Sequence, residues 1–128
     1  ARSLKKMADL ASLPNVQLLE LDVVDPNSIT AAVKEVEERT SGKLDILINN
    51  AGQQYIMPVL DVDIGAAQAL FDVNYWAPLR MVQAFSAMLI AAHGCVVNIG
   101  SGAGVVTIPF QSKPLRVRTW KKTQSDAF

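Results

Sequence analysis

A few positions in this chain carry residue types that do chemistry. Ser101 stands in the run Gly100-Ser101-Gly102-Ala103-Gly104, directly after the apolar stretch Cys95 to Ile99. A serine can act as a nucleophile, but only beside a base. The single histidine, His93, falls at the end of a helical pattern, and nothing in the sequence pairs it with Ser101. A glycine-rich run after a strand can also cradle phosphate on backbone N–H groups. The dinucleotide fingerprint needs G-x-G-x-x-G with a helix behind it. Here its third glycine falls on Val105, and Val105 to Pro109 is not helical. The loop therefore reads as tight backbone turning about Ser101. Asn49-Asn50 closes a second apolar stretch, Leu44 to Ile48, and runs into Ala51-Gly52. Two amides there need hydrogen-bond partners, either by bracing a loop or by touching a ligand. Asn74, taken alone, reads as a cap or turn residue. One cysteine, Cys95, excludes an internal disulfide and fits a reducing compartment, and no cluster of metal-ligand type is present.

The elements that must position these residues alternate in type. Ser3 to Leu13 has apolar residues at helical spacing, and Pro14-Asn15 ends it. Val16 to Val24 reads as a strand with Asp22 near its end. Asp25-Pro26 is a helix start, with Asp as N-cap and Pro at the first helical position. Ile29, Ala32, Val33 and Val36 then form an apolar stripe opposite Lys34, Glu35, Glu37 and Glu38. Gly42 stops it. Leu44 to Ile48 is too short for a helix and nearly continuous in aliphatic residues, as in a strand buried on both faces of a parallel sheet. Asp63 is a candidate N-cap for a short helix through Phe71. Pro78 to Ala92 is a second helix closed by His93-Gly94, and Cys95 to Ile99 is a third buried strand. This alternation predicts an α/β fold with a doubly wound parallel sheet, which places Asn50 to Gly52 at the carboxyl edge where such sheets bind ligands.

With 128 residues, half of them apolar and 19% charged, the chain has room for one domain and a modest core. No run is long enough to span a bilayer, and Ala1 to Lys6 lacks the apolar middle of a signal peptide. Net charge is zero but unevenly divided. Residues 1–111 hold 7 Lys and Arg against 11 Asp and Glu, whereas residues 112–128 hold 5 against 1. The basic tail reads as a solvated, unstructured end rather than an anion-binding surface.

Four pieces in order, Leu21-Asp22-Val23-Val24-Asp25, Asn49-Asn50-Ala51-Gly52, Phe71-Asp72-Val73-Asn74 and Val97-Asn98-Ile99-Gly100-Ser101, resemble the short-chain dehydrogenase/reductase family over residues 1–111. Gly52 to Pro58 and Gly104 to Gln111 are most similar to fungal-type NADPH-dependent reductases of 1-acyl-dihydroxyacetone phosphate. The resemblance implies a partial Rossmann-type sheet and hydride transfer from NADP(H), in preference to NAD(H), to a carbonyl, with a lipid-like ketone as substrate. It implies that Asp22 accepts a hydrogen bond from the adenine amino group beside the Val23 backbone, and that Asn50, Ala51 and Gly52 line the cofactor. Ser101 would donate to the carbonyl oxygen, the Asn74 backbone would hold a relay water, and Arg2 would take the 2′-phosphate bidentately. It also implies homo- or hetero-oligomers with family members and a cytoplasmic location, at the endoplasmic reticulum or lipid droplets for that subgroup.

The family pattern breaks in two places. The glycine-rich cofactor turn and the first two strands are expected before residue 1. The catalytic Tyr-x-x-x-Lys is expected at positions held by Pro114 and Arg118. Without it there is no proton donor, so the chain alone is expected to be inactive. So abrupt a break after Gln111 is expected from a frameshift, a retained intron or an alternative exon, which sequencing the transcript across Gln111 tests. In the family's strand order, 3-2-1-4-5, the absent strands belong beside Leu44 to Ile48. That predicts an unpaired apolar edge and marginal stability. The alternatives to an enzyme fragment are a non-catalytic partner of complete family members and a fragment without function.

Overall fold

The computed structural model describes residues 1–101, and the glycine-rich loop beyond Ser101, the basic tail, Pro114 and Arg118 lie outside the described residues. Its centre is a two-stranded parallel sheet, β1 (Ile46–Asn49) and β2 (Cys95–Asn98), in the register Ile46↔Cys95 to Asn49↔Asn98. Before the sheet come a 3-10 helix (Leu4–Leu10) and α1 (Pro26–Thr40). Between the strands the chain makes α2 (Ile64–Phe71), a five-residue π-helical segment (Asp72–Trp76) and α3 (Ala77–Ala91). Strand, helix and parallel strand form the α/β arrangement expected of a partial doubly wound sheet.

Local chemistry accounts for the helix starts. The Asp25 carboxylate accepts from the Asn27 N–H at 3.0 Å, with Pro26 where its missing N–H costs nothing. Asp63 does the same for α2, accepting from Ala66 N–H at 2.7 Å. The ends differ from the simplest expectation. Ser41 already takes the left-handed conformation after α1, with φ of 53°, and Gly42 follows at 75°. After α3 it is His93, not Gly94, that turns left-handed, with φ of 51°. Gly94 serves closeness instead: a Cβ on it would lie 2.3 Å from the Leu44 carbonyl oxygen and 2.7 Å from that of Asp45. Here α3 returns to the sheet so tightly that only a hydrogen fits. The Leu44 N–H donates to the Met88 carbonyl at 3.1 Å and locks the same corner.

The core lies on one face of the sheet. Ile29 and Ala32 of α1, Leu47 of β1, and Met81, Phe85, Met88 and Leu89 of α3 form one buried cluster, with Leu21, Val23 and Val96 packed against it. Fully burying such a side chain contributes about 1.5–3 kcal/mol.

Three expectations are corrected. β1 is not buried on both faces: Leu47 is 9% exposed, but Ile46 and Ile48 are 54% and 59% exposed. The exposed residues of β2 are Cys95 and Val97, so it too is covered on one face only. The reason is that α1 and α3 pack together on the same side. Second, Val16 to Val24 forms no strand. Its ladder is reduced to one parallel contact, in which Ala1 N donates to the Leu19 carbonyl at 3.2 Å and Leu21 N–H to the Ala1 carbonyl at 3.0 Å. A strand needs a partner, and among the described residues only Ala1 offers this segment ladder bonds. Third, the first helix is a seven-residue 3-10 turn with no buried side chain among its described residues, rather than an α-helix over Ser3 to Leu13.

Candidate functional site

The carboxyl ends of β1 and β2 are level. Asn49 and Asn98 form the last register pair, and the Asn49 Nδ2 donates to the Asn98 Oδ1 at 2.9 Å. Ile99 N–H donates to the Asn49 carbonyl at 2.9 Å, the last ladder bond. Beyond the pair, two arms of equal length leave the sheet. One is Asn50-Ala51-Gly52 and the other Ile99-Gly100-Ser101, and all six residues are exposed. The structure thus brings Gly52 and Ser101, far apart in sequence, to one edge. Of the two amides that closed the apolar run, Asn49 braces the sheet and Asn50 is left facing solvent.

Asn74 reaches the same edge from the helical side. Its Oδ1 accepts from the Gln53 N–H at 2.8 Å, and its Nδ2 donates to the Gln53 carbonyl at 2.8 Å. One amide thereby satisfies both backbone groups of the residue after Gly52. The π-helical segment that contains Asn74 supplies the turn for this reach, since i→i+5 bonding adds a residue to the turn, as the Ala77 N–H to Asp72 carbonyl bond shows. A Cβ on Gly52 would meet the Asn74 Oδ1 at 3.5 Å, an ordinary contact, so the loop itself does not demand glycine here. The Tyr55 hydroxyl accepts from the Asp63 N–H at 3.3 Å, tying the same loop to the start of α2.

Asp22, Val23 and Arg2 form a second group. One Asp22 oxygen accepts from the Val24 N–H at 3.1 Å, and the Asp22 N–H donates to the Ser28 Oγ at 2.9 Å. The carboxylate is held at the end of its segment with Oδ2 available to a donor. Arg2 is exposed and follows Ala1, whose backbone bonds fix it beside Leu19 to Leu21.

Two features escaped sequence reasoning. Asn98 carried no assigned role, although an amide among the aliphatic residues of Cys95 to Ile99 was a visible signal. The Asn74 side chain had none because nothing in a sequence marks a π-helical turn. A shallow groove lined by Gln68, Phe71, Asp72 and Trp76 runs along α2 and contains no candidate site residue.

A two-stranded parallel sheet with crossover helices on one side and glycine and serine arms at its carboxyl edge is part of a Rossmann-type α/β domain. The family model for short chain dehydrogenases matches residues 1–113, and the chain belongs to that family. It is 50% identical over 103 residues to "Short-chain dehydrogenase PC-15" of Penicillium crustosum, an alignment covering 80% of this chain and 38% of that protein. Identity to "NADPH-dependent 1-acyldihydroxyacetone phosphate reductase" of Schizosaccharomyces pombe is 38% over 112 residues, covering 88% of this chain and 38% of the relative. Among solved structures it resembles NADPH-bound carbonyl reductase from chicken fatty liver, with a TM-score of 0.76 and 31% identity over 88% of this chain and 50% of that one. The chain therefore spans less than two-fifths of the length of these curated relatives.

Proposed function

We propose that this chain is the cofactor- and carbonyl-facing segment of an NADP(H)-dependent short-chain oxidoreductase that reduces a ketone. The observation that carries the reading is the level pair of arms ending in Gly52 and Ser101. The residues present fit the parts of the dinucleotide they would touch. Exposed Asn50, Ala51 and Gly52 leave open backbone for it, the fixed Asp22 carboxylate suits an adenine amino group, and the Arg2 guanidinium suits a 2′-phosphate bidentately. When bound, the nicotinamide supplies hydride. The Ser101 hydroxyl donates a hydrogen bond to the carbonyl oxygen as negative charge develops there. Asn74 keeps the loop after Gly52 in place, and its backbone holds a water on the proton path. A Tyr-x-x-x-Lys pair is the expected proton source, and Pro114 and Arg118 stand at its positions, so this chain by itself turns nothing over.

The similarity to the S. pombe reductase supports a lipid-like ketone of the 1-acyl-dihydroxyacetone phosphate type as the substrate class. We propose in addition a cytoplasmic location, at the endoplasmic reticulum or lipid droplets, which microscopy of a fluorescent fusion tests. The experiment for function compares NADPH oxidation with that ketone by this chain and by a polypeptide of the relatives' full length. Turnover by the longer polypeptide alone supports the reading. Turnover by the short chain sinks its inactivity, and neither turnover nor NADPH binding by the longer one sinks the enzyme reading. A second reading, a non-catalytic partner of complete family members, is favoured by the exposed Ile46 and Ile48 on β1. Co-purification with an intact relative separates it from the first.

A further inference from the structure

We propose that Ser28 is a positioning residue for the nucleotide, its hydroxyl fixing the orientation in which the Asp22 carboxylate meets the adenine amino group. The inference rests on the reading of Asp22 as the adenine acceptor and names what aims it.

Asp22 hydrogen-bonds through its backbone N–H, its carbonyl and its two carboxylate oxygens. Two of these groups are used within a tight turn: Oδ1 accepts from the Val24 N–H at 3.1 Å, and the carbonyl accepts from the Asp25 N–H at 3.2 Å. Both bonds travel with the turn, so neither sets how the turn sits on the rest of the molecule. The N–H does. Directions alternate along an extended segment. The Leu21 N–H donates to the Ala1 carbonyl at 3.0 Å, and the Asp22 N–H faces the other way, where no strand runs among the described residues. A backbone donor without a ladder needs another acceptor, and the Ser28 Oγ supplies it at 2.9 Å. Ser28 is firmly seated. It stands in the first turn of α1, whose start is set by Pro26, by the Asp25 cap on Asn27 and by the Ile29 N–H bond to the Asp25 carbonyl at 3.0 Å. Its neighbour Ile29 is buried in the core cluster. Leu21 and Val23, on either side of Asp22, pack against that same cluster. Their contact holds the segment close but is non-directional, which leaves rotation about the segment to a directional bond. Ser28 thus connects the core to the carboxylate and aims Oδ2, the oxygen that the turn leaves available. An acceptor aimed in advance binds more tightly than one that must be ordered on binding.

The test introduces Ser28→Ala and Ser28→Thr into a polypeptide of the relatives' full length. It reads the Kd for NADPH and for its hypoxanthine analogue, in which an oxygen replaces the adenine amino group. Alanine is the better helix former, so the first variant removes the hydroxyl without weakening α1, and threonine keeps an acceptor. Ser28→Ala is expected to raise the Kd for NADPH about fivefold, the order of one hydrogen bond, and to leave that for the analogue unchanged. Ser28→Thr is expected to restore the parent value. Equal weakening of both cofactors marks a general structural loss and overturns the proposal, as does a Kd for NADPH that does not move. A second readout uses the chain of 128 residues itself. NMR order parameters at Asp22 and Val24 are expected to fall below about 0.6 in Ser28→Ala, while Ile29 stays near about 0.85, and Ser28→Thr is expected to match the parent. Equal order at Asp22 in all three chains overturns the proposal, as does a parent in which Asp22 is already flexible. If the parent polypeptide binds neither cofactor, or NADPH no better than the analogue, the reading of Asp22 fails, and the order parameters still decide whether Ser28 holds it.

Discussion

The two faces of one sheet behave oppositely. On one, Leu47 is buried among α1 and α3, and Val96 packs at the border of the same cluster. On the other, Ile46 and Ile48 are more than half exposed, and Ile99 extends the same apolar surface at 55%. Side chains alternate along a strand, so neighbours in sequence meet opposite fates. A strand apolar at every position has the composition for two covering layers, and the described residues supply one. That contrast teaches that one covering layer is enough to hold a two-stranded sheet in register. On the covered face Asn49 and Asn98 continue the row begun by Leu47 and Val96 and bond to each other at 2.9 Å. The open face contributes apolar surface, ending in Ile99 at the root of the Ser101 arm.

The contrast breaks most easily on the covered side. Leu47→Ala removes a buried side chain from the centre of the cluster and is expected to cost about 2–5 kcal/mol. A chain with one covered face has little stability to lose, so its cooperative urea transition, followed by circular dichroism, should vanish or shift to far lower denaturant. A sharp transition at the parent midpoint would mean that Leu47 is not where the core is held. Gly94→Ala comes next. Its Cβ would need to share space with the Leu44 and Asp45 carbonyls, and relieving that overlap is expected to cost about 1–3 kcal/mol. The same measurement decides it, and a neutral result would show that α3 does not approach β1 so closely. Asn74→Ala should be milder, about 1 kcal/mol, because the Gln53 groups it frees are exposed and can turn to water. Its signature is local: amide exchange at Gln53 should accelerate while that at Leu47 does not.

What the sequence disclosed followed from how local the cause was. Asp25-Pro26 and Asp63 were legible as helix starts because a cap acts within three residues of itself. The carboxyl edge of the sheet was legible because an aliphatic run that stops at Asn49-Asn50-Ala51-Gly52 marks where β1 ends. Strand status for Val16 to Val24 was not, since β structure is conferred by a partner and, among the described residues, only Ala1 pairs there. Burial of Ile46 and Ile48 failed for the same reason one level up: it depends on a layer, not on the residues. His93 in place of Gly94 at the left-handed position was invisible because close approach of α3 to Leu44, a tertiary fact, claimed the glycine. Asn98 looked like a break in an aliphatic strand until Asn49 stood opposite it.

The smallest expected effect sharpens the comparison most. Ile48→Thr keeps β-branching and backbone preference on the strand while replacing an exposed methyl-rich surface with a hydroxyl. If the open face meets water, the change should stay within about 0.5 kcal/mol of the parent, next to the several expected at adjacent Leu47. It should also lower self-association, because an apolar strand beside an unpaired edge is an adhesive surface. Sedimentation velocity across a range of concentrations measures this alongside the urea midpoint. A cost at Ile48 as large as that at Leu47 would mean the open face is covered in solution. A concentration-dependent midpoint would then identify the cover as a second copy of the chain, because only association ties stability to protein concentration.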